Sequence, residues 1–130
     1  MRLDAGGDST EGITSIVQSS DPFTYFRETP VRVCHGAALD DGTLSIAMLR
    51  RSALRDMPTI AARVLGERFR PADHHQIDHY EDVTSARLAS ISLDEGGRPR
   101  SFPFQVDGDY IGDYADLELG IEPGALTVVA

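Results

Sequence analysis

The sequence predicts a mainly β protein, a two-sheet β-sandwich with one α-helix. Apolar and polar residues alternate over several short stretches, turn signals rich in glycine and aspartate separate those stretches, and a single segment carries helical spacing. A length of 130 residues is one domain's worth, enough to bury a core without disulfides or a structural zinc.

In chain order, the first turn signal is Gly6-Gly7-Asp8, read as a hairpin turn between polar strands, and the strand-like Ile13-Thr14-Ser15-Ile16-Val17 follows it. A second turn signal, Asp40-Asp41-Gly42, precedes the segment that departs from strand period. From Met57 to Phe69 the apolar residues Met57, Ile60, Ala61, Val64, Leu65 and Phe69 recur at helical spacing, which predicts a helix near Met57 to Arg68. Asp56 stands at the expected N-cap, Pro58 lies in the first turn where its missing N–H is harmless, and Arg68 and Arg70 close the end favoured by cations. The polar stretch Arg70 to His79 reads as a connection. Strand alternation returns at Ala89, Ile91 and Leu93, at Phe102, Phe104 and Val106, at Leu117, Leu119 and Ile121, and at Leu126, Val128 and Ala130. The turns between them are Glu95-Gly96-Gly97, Asp107-Gly108 and Glu122-Pro123-Gly124.

The formal charge of −9 repels phosphate backbones and argues against nucleic acid as a partner. All twelve basic residues are arginines, and six of them (Arg50, Arg51, Arg55, Arg63, Arg68 and Arg70) share one segment with only Asp56 and Glu67 as acids. A solvated helix face is one reading; the other is a patch that meets anionic headgroups or a partner domain, a peripheral membrane contact. Cys34 is the only cysteine, so no internal disulfide forms, which fits a reducing, cytoplasmic setting. The start of the chain has no signal-peptide pattern, and no apolar run approaches membrane-spanning length. A soluble chain is the expectation.

His74, His75, Asp78 and His79 suggest a metal set, since His75 and His79 would share a helical face, but solvated loop histidines are the expectation. Gly6-Gly7-Asp8-Ser9-Thr10 resembles the GGDGT loop by which lipid kinases hold ATP phosphates. A phosphate loop follows an apolar strand and opens a helix, whereas here only Leu3 precedes it, a strand follows it, and Ser9 replaces the third glycine.

Two further stretches carry a closer resemblance. The first runs Pro30-Val31-Arg32-Val33-Cys34-His35-Gly36-Ala37-Ala38-Leu39-Asp40-Asp41-Gly42-Thr43-Leu44, a strand, an A-x-x-x-D-G-x-L turn and a second strand. The second is Phe104-Gln105-Val106-Asp107-Gly108-Asp109-Tyr110, followed by Glu122-Pro123-Gly124-Ala125-Leu126. In order and separation these resemble the signatures of the C-terminal domain of diacylglycerol kinase-like enzymes, the group that includes bacterial lipid kinases and sphingosine and ceramide kinases. The similarity extends from Ile13 to Ala130 and includes the aromatic turn Asp21-Pro22-Phe23-Thr24-Tyr25-Phe26.

That resemblance implies a C-terminal β-sandwich spanning residues 1–130, with the ATP-binding GGDGT domain absent. The expected reaction is transfer of the ATP γ-phosphoryl to a lipid hydroxyl, with the chain inactive alone and ATP bound as co-substrate by the other domain. The family's structural Mg²⁺ maps onto the carboxylate of Asp41 and the carbonyls of Ala38 and Thr43, an oxygen set that suits a small hard cation. Asp109 takes the place of the family's glutamate, its general base, on a stem one methylene shorter. A rival reading is a non-catalytic β-sandwich module that binds a lipid or a protein.

Overall fold

The computed structural model describes residues 1–19, 23–25, 29–31, 33–34, 36, 38, 40–51, 55–65 and 73–125. The elements in chain order are β1 (Arg2–Ala5), β2 (Asp8–Glu11), β3 (Thr14–Gln18), β4 (Phe23–Tyr25), β5 (Thr29–Val31), β6 (Leu44–Leu49), α1 (Met57–Leu65), β7 (Ile77–Val83), β8 (Ser85–Ala89), β9 (Phe102–Val106), β10 (Asp109–Tyr114) and β11 (Asp116–Gly120). The fold is mainly β with one helix among the described residues, as the periodicities predict.

Two antiparallel sheets face each other across the core, one ordered β11-β8-β1-β2 and the other β3-β6-β7. In the first, register places Leu3, Leu88 and Leu117 in one row and Ala5, Ala86 and Leu119 in the next, so alternate residues of three strands make one apolar face. In the second, Val17, Ile46 and Tyr80 share a row beside Met48, Leu44 and Val83. Leu3, Ile46 and Met48 are fully buried between the sheets, each contributing on the order of 1.5–3 kcal/mol. Strand β6 is buried on both faces, because Ser45 and Ala47 on its far side are also covered. The segment around Cys34 supplies part of that cover: the Cys34 thiol donates to the Ile16 carbonyl at 3.6 Å. Burial pushes the thiol's pKa up to about 12, so Cys34 is an inert core group.

The chain passes from one sheet to the other at Gly12. A Cβ there would stand 2.5 Å from the Leu49 carbonyl oxygen and closer still to Met48 Sδ, so only glycine fits. The same side of the sandwich is sealed by Thr10, whose hydroxyl donates to Asp78 at 2.5 Å between β2 and β7, and Arg50 lies 3.5 Å from Asp78. A bulge in β7 sets two residues, Glu81 and Asp82, against Ser45, and Asp82 takes the left-handed φ of 57° that this geometry asks for.

Two two-stranded ribbons, β4–β5 and β9–β10, stand beside the main sheets. Strands β10 and β11 are nearly one strand bent at Ala115, which pairs first with β9 and then with β8. Residues 92–100 form a small exposed hairpin in which Asp94 Oδ1 accepts the N–H groups of Gly96 and Arg98.

Several expectations are corrected by this architecture. The Gly6-Gly7 turn does join a hairpin, but β1 is not a polar strand, since Leu3 and Ala5 lie in the core. The alternation at Ala89, Ile91 and Leu93 does not mark a core strand, because β8 ends at Ala89 and Ile91 and Leu93 are exposed. The stretch Arg70 to His79 is not all connection, since Ile77, Asp78 and His79 begin β7. Of the aromatic turn, the described residues Phe23, Thr24 and Tyr25 are strand β4. Leu126, Val128, Ala130 and the helix positions after Leu65 lie outside the described residues.

Candidate functional site

The turn after Leu39 is organised by one carboxylate. Asp41 Oδ1 accepts the Thr43 N–H at 2.8 Å and Oδ2 accepts the Ala38 N–H at 2.9 Å. The three residues of the expected Mg²⁺ set are thus adjacent, linked through their N–H groups to the Asp41 carboxylate. The Thr43 and then the Ala38 bond hold the carboxyl below its ordinary pKa despite opposing desolvation. Each oxygen keeps a further lone pair, and the side chain is exposed, so the carboxylate fits an oxygen-coordinated hard cation. Gly42, at φ 70°, packs against Pro123: a Cβ would stand 3.1 Å from its Cγ. The Asp40-Asp41-Gly42 and Glu122-Pro123-Gly124 turns, far apart in sequence, therefore touch.

Asp109 opens β10, immediately after the two-residue turn Asp107-Gly108. Both turn residues have positive φ, 52° and 90°, the pairing that joins tightly twisted antiparallel strands. Register pairs Asp109 with Val106, on the ribbon face that also carries Phe104 and Phe102, and Phe102 packs against the core. Asp109 is exposed and accepts no hydrogen bond from any described residue. On the other face Tyr110 and Asp113 meet, and the hydrogen bond to Asp113 raises the tyrosine's pKa. That pairing escapes a sequence reading because the bulge between Tyr110 and Gly112 changes the face count. Phe104 and Tyr114 pack edge to face at 5.9 Å and brace the ribbon at its base.

The Gly6–Ser9 turn borders an open cleft of about 620 Å³, lined also by Asp4, Arg87 and Glu118. Its arginine is engaged, because Arg87 Nε donates to Asp116 Oδ1 at 2.8 Å and a guanidinium nitrogen contacts the other oxygen. With Asp4, Asp8 and Glu118 around it, the cleft disfavours phosphate. None of Ala38, Asp41, Thr43 or Asp109 lines it.

His75 is the exposed turn residue expected, but His74 and His79 are not solvated loop residues. His74 is 6% exposed. Its Nδ1 accepts the Gln76 N–H at 3.2 Å, which leaves Nε2 to face the Thr59 hydroxyl at 3.2 Å, and its ring stacks on exposed His75. His79 is a strand residue with its ring 3.3 Å from Glu81. No cluster of three metal-ligating side chains occurs among the described residues. Asp56 is at the N-cap, its carbonyl accepting from Ile60 N–H at 3.0 Å, but its carboxylate turns to Arg55 at 3.7 Å. No described helix is long and apolar enough to cross a membrane. No protein-family model matches the chain, and no curated protein shows significant similarity to it.

Proposed function

We propose that the chain is the C-terminal half of an ATP-dependent lipid kinase of the diacylglycerol kinase-like kind, phosphorylating a lipid hydroxyl. It supplies the catalytic base and the lipid-side wall of the cleft, and works with a nucleotide-binding domain that holds ATP. The observation that carries this reading is the Asp107-Gly108 turn, which needs only its own two residues and leaves the Asp109 carboxylate exposed beside an apolar ribbon face. As the lipid oxygen bonds to the γ-phosphorus and the β–γ bridging bond breaks, Asp109 takes the hydroxyl proton. The contact between the Asp41 and Pro123 turns supports the same reading, because it unites segments that the resemblance links only by order. Mg²⁺ would be held by the Asp41 carboxylate with the Ala38 and Thr43 carbonyls, where it would stiffen the turn.

A binding module without catalysis is favoured by a different observation. Among the described residues, five of the eight exposed large apolar side chains (Ile91, Leu93, Val106, Tyr110 and Ile111) sit on the ribbon and on the neighbouring hairpin and its approach, as a docking face would require. One experiment separates the two. With a GGDGT-bearing nucleotide-binding domain supplied, Asp109→Asn should cut turnover by ~10²-fold or more while lipid affinity changes little. A correctly folded variant with the parent rate would remove Asp109 from the chemistry, and a parent with no turnover at all would leave the binding module.

A further inference from the structure

Charge is divided unevenly along this chain. Residues 50–70 carry a formal +4, leaving −13 for everything else. Within that segment, Arg51 is exposed, and the Arg55 side chain, 86% exposed, pairs among the described residues with its neighbour Asp56. Arg50 is turned toward Asp78 in the sandwich. Helix α1 begins two residues after Arg55, with Asp56 between them and no acidic residue in its first turn. Met57 and Ala61 are one helical turn apart, as are Pro58 and Ala62, and all four are exposed, while Ile60 and Arg63 on the other side are half-buried. The helix therefore turns a shallow apolar stripe outward, with exposed Arg55 two residues before it in the chain and exposed Arg51 two residues after β6.

We propose that Arg51, Arg55 and the stripe Met57, Pro58, Ala61 and Ala62 form a docking surface for an anionic lipid bilayer. A bilayer surface asks for cations and a shallow apolar foothold, not for a pocket. Nucleic acid fits less well, because the described patch has no aromatic side chain on which a base could stack. The acidic remainder sets the orientation: Glu11 and Glu118 on the outer sheet face, and Asp94, Glu95, Asp107 and Asp113 on the ribbon and its neighbouring hairpin, are exposed and repelled by anionic headgroups, and half-buried Asp4 adds to the outer face. The inference goes beyond the kinase reading and does not depend on it.

The test is partition of the whole chain onto vesicles of about one-third phosphatidylglycerol in phosphatidylcholine, against phosphatidylcholine alone. Binding should require phosphatidylglycerol and weaken as salt rises. Each arginine near the surface adds about fivefold, so Arg51→Gln with Arg55→Gln should lower partition by about 25-fold with an unchanged circular dichroism spectrum. The control Arg98→Gln with Arg100→Gln, on the exposed hairpin, should bind as the parent does. The chain has no tryptophan, so Met57→Trp introduces a single reporter whose emission should shift to the blue on the anionic vesicles. Three results would each overturn the proposal: no binding to anionic vesicles, equal binding to neutral ones, or equal loss in the control. None of these readouts involves phosphoryl transfer, so this surface and the kinase reading can fail separately.

Discussion

His74 joins two elements through a neutral ring. The Gln76 N–H occupies Nδ1 and the Thr59 hydroxyl faces Nε2, while that hydroxyl also donates to the Asp56 carbonyl at 2.7 Å. A proton on Nδ1 would oppose the Gln76 N–H. Burial, then the charges of His75 and Arg63, lower the pKa of His74 from its ordinary 6.5, with Asp56 opposing them. Because the unfolded chain binds this proton more readily, the contribution is complete above the ordinary value and is lost as pH falls through the interval below it. Urea midpoints should therefore fall as pH drops below about 6.5. His74→Asn should reduce that slope; an unchanged slope would assign it to other groups. This histidine was not legible in the sequence, because His74, His75 and His79 are chemically alike and only the return of the chain from α1 to β7 buries one and exposes another.

The turn at Asp41 is complete without an ion, since both carboxylate oxygens already accept backbone N–H groups. If Mg²⁺ binds the folded turn, it adds stability by linkage, and Asp41→Ala should lower the melting temperature more with Mg²⁺ than without. An equal loss in both conditions would reduce the motif to its hydrogen bonds. The strands β9 and β11 were legible because Phe102 and Phe104, and Leu117 and Leu119, alternate and are half-buried on one face. The same period at Ile91 and Leu93 leads instead into solvent, since alternation marks a face without saying what covers it. Strand β7 was hidden for the opposite reason. Its Asp78 and His79 look like loop residues, yet Asp78 is satisfied by Thr10 and Arg50 and His79 lies against Glu81. The Asp107-Gly108 turn was legible in full, because two positive φ angles in a row select for that dipeptide.

Across the whole molecule, cohesion is concentrated where the two sheets share a core, and chemistry is expected where they do not. The arginine-rich edge, the Asp41 turn and the ribbon tip all lie at the margins of the sandwich, while Leu3, Ile46, Met48 and Leu88 hold its centre. The bend at Ala115 marks the border between these regimes. On the β11 side the strand is backed by a second layer; on the β10 side it has a hydrogen-bonded partner, one face open to water and the other only half-buried. A ladder without a second layer can open by itself, at a free energy far below that of unfolding the sandwich. In deuterated buffer the chain should therefore keep two clocks. Amides of β9 and β10 should label through local opening, insensitive to low denaturant, while those of β6 should wait for global unfolding. Equal rates on both sides of Ala115 would mean that the ribbon and the sandwich melt as one. If they do not, residues around Asp109 can be reshaped by whatever they meet while the core stays closed.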